Sequence, residues 1–157
     1  MQIRNATKKD IPGILHLLKQ VGKVHSDLRP DIFPADVVKY DTPALEALLQ
    51  DTSRPIFIAD VDGCVAGHCF CVHKIIENTP LSVGRQELYI DDLCVDESCR
   101  RMGIAKALYD HALSYAKKCG CRMLTLSVWD GNDGAMRFYG QMGMRPRYIM
   151  MEAAVEE

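Results

Sequence analysis

The sequence predicts an α/β (α+β) fold in which helices cover one mixed β-sheet. Two observations carry this prediction. Consecutive apolar runs in the middle of the chain indicate adjacent strands, and a strand–helix–strand–helix–strand pattern follows them. The full predicted order is β-α-α-β-β-β-α-β-α-β. Because 157 residues with 48% hydrophobic side chains suffice for one core, we expect a single domain over residues 1–157.

The elements follow from local patterns in chain order. The predicted strands cover residues 1–6, 54–75 as two strands joined by a turn, 86–98, 121–129 and 144–157. The predicted helices cover residues 6–25, 42–51, 103–120 and 130–143. Residues 26–43 carry three prolines and several charges, and a loop this long in a small domain is often functional.

Capping signals mark the start of the first two helices. Thr7 and Asp10 form the S/T-x-x-D/E pattern of a capping box, and the apolar residues behind them recur at helical spacing. We expect Thr42 to cap the second helix. Pro43 then lies in the first turn, where its missing N–H is not needed by the helix.

Turn residues bound the later elements. Asp62-Gly63 lies between two apolar runs and is a strong hairpin signal. The core face of the third helix is formed by Ile104, Leu108, Ala112 and Tyr115. Gly120 ends this helix, and the last helix is predicted to begin at an Asn132 cap and to end at Gly143.

Composition excludes several function classes. A net charge of −2 provides no positive field for nucleic acid or anionic lipid, so we expect neither as a partner. No signal peptide opens the chain and no apolar run is long enough to span a bilayer, so we expect a cytoplasmic protein. Seven cysteines, an odd number, argue against a disulfide framework, and the two C-x-C pairs lack zinc-knuckle spacing, so no metal is expected.

The segment CRRMGIAKAL, residues 99–108, places two arginines at a helix start directly after a strand. The helix dipole disfavours positive charge there, so a bound anion would explain the arrangement. The main-chain N–H groups around Gly103 lack partners within the helix and would bind a diphosphate. The side chains of Arg100 and Arg101 would add charge and further donors. The alternative is a solvated basic helix start. Walker A and Rossmann patterns are absent.

Three motifs occur in order along the chain. RRMGIA spans Arg100–Ala105, YIDDLCVDES precedes it, and WDGNDGAMRFYGQMGM follows. The first resembles the [Q/R]-x-x-G-x-[G/A] motif of the GNAT superfamily of acetyl-CoA-dependent N-acetyltransferases, and the second resembles the strand that leads into it. The third resembles the family's N-x-x-A-x-x-F-Y-x-x-x-G-[F/M] motif, with matches at Asn132, Ala135, Phe138, Tyr139 and Gly143. The order of elements agrees over essentially the whole chain.

The resemblance implies a GNAT-like, mostly antiparallel sheet with splayed central strands, and acetyl-CoA as cosubstrate. It implies that N–H groups from Arg101 to Ala105 hold the pyrophosphate and that pantetheine pairs with the strand at residues 93–95. The implied cofactor-binding residues are Leu93, Cys94, Val95, Arg100, Arg101, Met102, Gly103, Ile104, Ala105 and Asn132. Asn132 keeps the alternative role of a helix cap.

Acetyl transfer to an amine needs a base, because roughly 1 in 2,500 lysine-like amines is neutral at pH 7. YIDD resembles the Y-I-E-D segment of spermidine/spermine N-acetyltransferases, which implies that Asp91 and Asp92 lie at the amine site and act directly or through water. Strand alternation puts Asp91 on one face with Leu93 and Val95, and Asp92 on the other, unless a bulge intervenes. The resemblance implies Tyr139 as the general acid beside the CoA sulfur.

These features predict acetyl transfer from acetyl-CoA to a primary amine of a cationic small molecule or peptide by direct attack. Cys94 and Cys99 have no histidine close in sequence, which disfavours an acyl-enzyme route, and His68 is interpreted as a structural strand histidine. The alternatives are a non-catalytic acyl-CoA-binding regulatory module and an unrelated nucleotide-binding domain. A C-terminal edge strand is able to pair between copies, which leaves a homodimer open.

Overall fold

A computed structural model describes residues 1–155, and the chain divides into two compact units, Met1–Ser127 and Val128–Glu157. The strands of the first unit are β1 (Gln2–Asn5), β2 (Ile56–Val61), β3 (Cys64–Ile76), β4 (Arg85–Val95) and β5 (Met123–Leu126). Its helices are α1 (Ile11–Leu28), α2 (Thr42–Leu48) and α3 (Ile104–Lys118). The second unit contains α4 (Asp133–Gln141). No helix among the described residues is long and apolar enough to cross a bilayer.

The five strands form one sheet in the order β1-β2-β3-β4-β5. The first three contacts between strands are antiparallel, whereas β4 and β5 are parallel and are connected through α3. The sheet is therefore mixed and mostly antiparallel, which confirms the predicted fold class. Asp62 and Gly63 both adopt positive φ at the β2–β3 turn, as the Asp-Gly signal predicts.

β4 and β5 pair over only part of β4. Their ladder runs from Glu87↔Met123 to Ile90↔Leu126, where β5 ends. β4 continues through residues 91–95 and stays beside β3, but no described strand pairs with its other edge there. The central strands thus part after Ile90, and β4 keeps a main-chain edge that no strand covers.

Helices cover both faces of this sheet in the first unit. Ile58 of β2 packs with Ile14 of α1 and Leu45 of α2 in one apolar cluster. Phe57, the preceding residue, points to the opposite face, where its ring centroid lies 4.6 Å from that of His111 of α3. We call these the α1/α2 face and the α3 face.

The helix starts show one confirmed cap and one corrected cap. The Asp10 carboxylate accepts hydrogen bonds from the Thr7 N–H at 2.7 Å and the Thr7 hydroxyl at 2.8 Å, so the predicted box forms. Thr42 is not the N-cap of α2 but its first residue. Asp41 caps this helix, because its extended backbone lets the carboxylate accept a hydrogen bond from the Ala44 N–H at 2.9 Å.

The strand predicted for residues 144–157 is not found. Residues 144–155 adopt no strand, and Glu156 and Glu157 lie outside the described residues. Pro146 has no N–H to donate to a ladder, and the apolar run Tyr148–Met151 is 72% to 84% exposed. A strand persists only where neighbouring main chain pairs with it, and an apolar run in a sequence does not identify that neighbour.

Candidate active site

A β-bulge in β4 brings the two predicted acidic residues to one face of the sheet. The register between β3 and β4 shifts between Phe70 and Cys71, so Asp91 is an extra residue without a ladder partner. Opposed residues of an antiparallel pair point to the same face, so Asp92 shares the α1/α2 face with its partner Phe70. Asp91 contacts Lys39, which lies in the segment between α1 and α2.

The bulge corrects the faces expected from strict alternation. That rule places Asp91 on the same face as Val95 and on the opposite face from Asp92. In the structure, Asp91 shares a face with Asp92, and Val95 lies on the other face. Val95 opposes Gly67 on the α3 face, where an added Cβ at Gly67 would lie 3.1 Å from a Leu108 methyl carbon. The extra residue shifts the alternation by one position, so both carboxylates lie toward α1 and α2.

Asp91 is surrounded by cationic and polar donors. Lys39 Nζ lies 2.7 Å from Asp91 Oδ2, and the Tyr40 hydroxyl lies 3.5 Å from the same oxygen. Arg54 Nη2 is 3.9 Å from this oxygen and donates a 3.1 Å hydrogen bond to the Tyr40 hydroxyl. Partial burial acts to lower the pKa of Lys39, but the hydrogen bond and charge of Asp91 outweigh it and raise that pKa. Lys39 is therefore cationic at neutral pH and neutralises Asp91.

Asp92 lies against a buried histidine. His68 of β3 is fully buried, and its Nε2 is 3.5 Å from Asp92 Oδ2. Neither ring nitrogen has a hydrogen-bond partner among residues 1–155. Buried polar groups without partners are rare, and this one faces a predicted catalytic carboxylate. Sequence reasoning misses the contact, because it depends on the register of β3 against β4.

Cys94 is packed as an inert thiol. Its Sγ lies 3.7 Å from the main-chain oxygen of Leu17 in α1, to which the S–H can donate. Burial, with a smaller effect of the Asp92 charge, raises the pKa of Cys94 to about 12. The thiolate form is therefore scarce at neutral pH, which also disfavours an acyl-enzyme route through this residue.

The turn between β4 and α3 contains two left-handed residues. Arg101 has a φ of 63°, Gly103 has a φ of 80°, and α3 begins at Ile104. A left-handed φ costs a non-glycine residue about 1 kcal/mol or more, and such strain clusters at ligand sites. Hydrogen bonds among residues 1–155 include none donated by the N–H groups of residues 101–105. An added Cβ at Gly103 would meet no atom within 4 Å, so this turn is open to a ligand.

The turn and the uncovered edge of β4 fit coenzyme A in chemical terms. A diphosphate needs several donors, and the turn offers unbonded amides beside the exposed side chains of Arg100 and Arg101. An extended pantetheine arm needs a strand edge. The main chain of residues 93–95 pairs with β3 on one side, and no described strand covers the other.

Two predicted site residues belong to the second unit. Asn132 caps α4, since its side-chain oxygen accepts a 3.1 Å hydrogen bond from the Ala135 N–H. Tyr139 lies on α4 with its ring centroid 5.0 Å from that of Phe138, and its carbonyl accepts a hydrogen bond from the Met144 N–H. The capping role is confirmed, and the roles of Asn132 toward CoA and of Tyr139 as acid stay predictions.

A separate cavity of about 390 Å³ lies between α1 and the segment that follows it. Its lining residues are Lys19, Lys23, Ser26, Asp27, Ala35, Asp36, Val37 and Val38. None of the predicted site residues is among them, so this cavity is not the site that the motifs indicate. Among residues 1–155, no group of three or more His, Cys, Asp or Glu side chains is placed to hold a metal ion.

The sequence model of the Acetyltransferase (GNAT) family matches residues 23–144. This range includes the bulged strand, the left-handed turn and the α4 motif. The chain belongs to the GNAT acetyltransferase family. The resemblance seen in the three motifs is thereby confirmed.

Two curated relatives are N-acetyltransferases by name. The chain is 28% identical over 148 residues to the uncharacterized N-acetyltransferase MJ1207 of Methanocaldococcus jannaschii, covering 94% of this chain and 62% of the relative. It is 32% identical over 122 residues to the L-ornithine N5-acetyltransferase NATA1 of Arabidopsis thaliana, covering 76% and 50%. The chain thus spans between half and two thirds of the length of these relatives.

Solved structures share the fold. A point mutant of the BH1408 protein from Bacillus halodurans superposes with a TM-score of 0.95 at 29% identity, covering 99% of this chain and 100% of that one. The aminoglycoside N-acetyltransferase AAC(6')-Iy, solved in complex with CoA, superposes with a TM-score of 0.73 at 17% identity, covering 99% of both chains. At that low identity the second likeness shows the fold alone.

Proposed function

We propose that this protein transfers an acetyl group from acetyl-CoA to a primary amine of a cationic small molecule or peptide, by direct attack of the amine. The observation that carries the proposal is the bulge at Asp91, which brings two carboxylates to one face where β5 leaves β4. We further propose that residues 1–157 act as one domain, which the family match across both units supports.

The first task of the chain is to bind and aim the cosubstrate. The N–H groups of residues 101–105 hold the pyrophosphate, with Arg100 and Arg101 adding charge. The main chain of Leu93, Cys94 and Val95 pairs with the pantetheine arm, and Asn132 adds a contact from the α4 cap. When bound, acetyl-CoA supplies the thioester.

The second task is to supply a neutral amine. Making a lysine-like ammonium neutral at pH 7 costs roughly 4.6 kcal/mol, which a base lowers. Asp91 and Asp92 take the proton, directly or through water. A main-chain N–H on the uncovered edge of β4 stabilises the oxyanion, and Tyr139 gives a proton to the leaving thiolate. A thiolate with a pKa near 8.5 needs only modest help from this acid.

The acceptor is a cationic amine. The acidic pair favours such a group, and the plant relative is named for acetylation of ornithine, whose side chain is a primary amine. The proposal is tested by a screen of amines with acetyl-CoA, following free thiol release and the mass of the product. We expect acetylated product from cationic amines. Tight CoA binding without turnover of any amine would instead support the acyl-CoA-binding regulatory module.

The acid role is tested by Tyr139→Phe. Because the leaving group needs little assistance, we expect kcat to fall by about 10- to 100-fold while the Kd of acetyl-CoA changes little. The matched control is Tyr148→Phe in the same unit, where the side chain is 72% exposed. Equal kcat for the Tyr139 variant and the wild type across pH would remove this tyrosine from the mechanism.

A further inference from the structure

The Asp91 carboxylate already has cationic partners within the protein. Lys39 Nζ, at 2.7 Å from the Asp91 carboxylate, and Arg54 Nη2, at 3.9 Å, supply two positive charges to this carboxylate. Their side chains are 44% and 35% exposed, so both can reach a ligand in solution. A site built only to attract a positively charged acceptor would not place two cations beside its outer carboxylate.

An acceptor with only positive charge would unbalance this cluster. Its ammonium group would take the place of Lys39 Nζ on Asp91. Lys39 and Arg54 would then lie close together and close to the ligand after losing the carboxylate that they share, which is unfavourable at a partly buried site. The binding free energy of such an acceptor is therefore diminished by the repulsion that it creates.

An acceptor that carries a carboxylate removes this penalty. Its ammonium group pairs with Asp91, and its carboxylate pairs with the two cations that Asp91 releases, so every charge keeps a partner. Arg54 is suited to this task because a guanidinium binds a carboxylate through two parallel hydrogen bonds. The Tyr40 hydroxyl, 3.1 Å from Arg54 Nη2, orients that group, and the Tyr40 ring is itself stacked on Phe70 at 5.7 Å between centroids.

We propose that the acceptor is an amino acid, whose carboxylate is bound by Lys39 and Arg54 while Asp91 holds its ammonium group. This inference rests on the proposed function and names its substrate class. Asp92 stays available for proton transfer, because the ion pairs of residues 1–155 give it no lysine or arginine partner, only the buried ring of His68 at 3.5 Å. This narrows the proton-accepting role proposed for the acidic pair to Asp92 and gives Asp91 the role of binding the ammonium group.

The test uses acceptor pairs that differ only in the carboxylate: ornithine against putrescine, and lysine against cadaverine. Calorimetry in the presence of CoA gives the Kd of each acceptor without any need for turnover. We expect each amino acid to bind at least about tenfold more tightly than its decarboxylated partner. Equal Kd values within both pairs, or tighter binding of the diamines, would overturn the inference.

Variants assign the effect to residues. Lys39→Met and Arg54→Met should each reduce the preference for the amino acid by about tenfold, and binding of the diamines should stay equal or improve. Lys23→Met is the matched control, because Lys23 also pairs with an aspartate, Asp27, at 2.8 Å, but lies on α1 outside the cluster. An equal loss for amino acids and diamines in both variants would contradict carboxylate recognition.

The same acceptors, followed for acetylation, separate this inference from the proposed function. Preferential binding of the amino acids without acetylation would sustain the substrate class and reject the transferase activity. Acetylation of both members of each pair with equal kcat/KM would sustain the activity and reject the substrate class.

Discussion

Two pairs of aspartates in the first unit show how differently a fold can hold a carboxylate. Asp10 and Asp60 share Arg4, whose guanidinium donates to Asp10 at 2.8 and 2.9 Å and to Asp60 at 2.8 and 3.1 Å. Asp91 and Asp92 have a flexible lysine at 2.7 Å and a histidine at 3.5 Å. One planar guanidinium, supplemented by donors from Thr7 and Gly63, serves the first pair, whereas fewer donors reach the second pair, which keeps lone pairs for a ligand.

The largest expected difference between the two pairs is in activity. Asp91→Asn and Asp92→Asn should each lower kcat/KM by about 100-fold or more, because they remove the proposed binding and proton-accepting carboxylates. The measurement is steady-state thiol release at saturating acetyl-CoA. Asp60→Asn is the matched control and should change kcat/KM by less than about threefold. If Asp91→Asn and Asp92→Asn both kept the wild-type kcat/KM, neither aspartate would be the base, and water alone would accept the proton.

The free energy of unfolding should depend on the first pair of aspartates, Asp10 and Asp60, more than on the second. Arg4→Met leaves two carboxylates without their shared cation and should lower the free energy of unfolding by about 2–3 kcal/mol. Urea unfolding measures this change, and the Kd of CoA should not move. Lys8→Met, which breaks an exposed pair with Glu46 at 3.4 Å, should lower that free energy by less than about 0.5 kcal/mol. A similar effect of both variants would show that the Arg4 cluster is not a structural support.

Acid should weaken the same cluster. The hydrogen bonds from Arg4 lower the pKa of Asp10 to about 2 from its ordinary 3.8. A lowered pKa stabilises the fold at pH values above 3.8, and this contribution of about 2 kcal/mol is lost as pH falls toward 2. Urea unfolding between pH 5 and pH 2 measures the loss. Asp10→Asn should flatten the pH dependence, and an unchanged slope in that variant would contradict the assignment.

The smallest expected effect separates two glycines at opposite ends of α3. Gly103 and Gly120 both have a positive φ, 80° and 71°, and an added Cβ would meet no atom within 4 Å at either position. Alanine at either one should lower the free energy of unfolding by about 1 kcal/mol. Only Gly103→Ala should also weaken CoA binding, by about tenfold, as measured by calorimetry. Equal CoA affinity in the two variants would place the pyrophosphate elsewhere.

Local sequence signals predict several helix starts and turns of this protein correctly. The capping box at Thr7, the hairpin at Asp62-Gly63 and the glycine before α3 each depend on a few neighbouring residues, so the sequence contains them in full. The three motifs also led to the correct family. The N-cap of α2 was missed by one residue, because Asp41 and Thr42 are both good capping residues and only the backbone angles distinguish them.

Contacts between distant segments were not predictable in this way. The bulge depends on how β3 and β4 align, and the pairing of Asp91 with Lys39 joins residues 52 positions apart. The facing of His68 and Asp92 has the same origin. Strand alternation describes one strand by itself, whereas these features depend on how two strands align. The absence of the predicted strand at residues 144–155 shows the same limit, because a strand forms only where neighbouring main chain pairs with it.

The extra residue at the bulge also separates the fold from its chemistry. Phe70 pairs with Asp92 and Cys71 pairs with Ile90, and Asp91 between them has no ladder partner. We expect loss of this single codon to leave an uninterrupted ladder and to keep the turn at Arg101 and Gly103, while it deletes the outer carboxylate. Deletion of Asp91 is therefore expected to separate the two roles proposed for the acidic pair, because it removes the proposed ammonium-binding carboxylate and keeps Asp92.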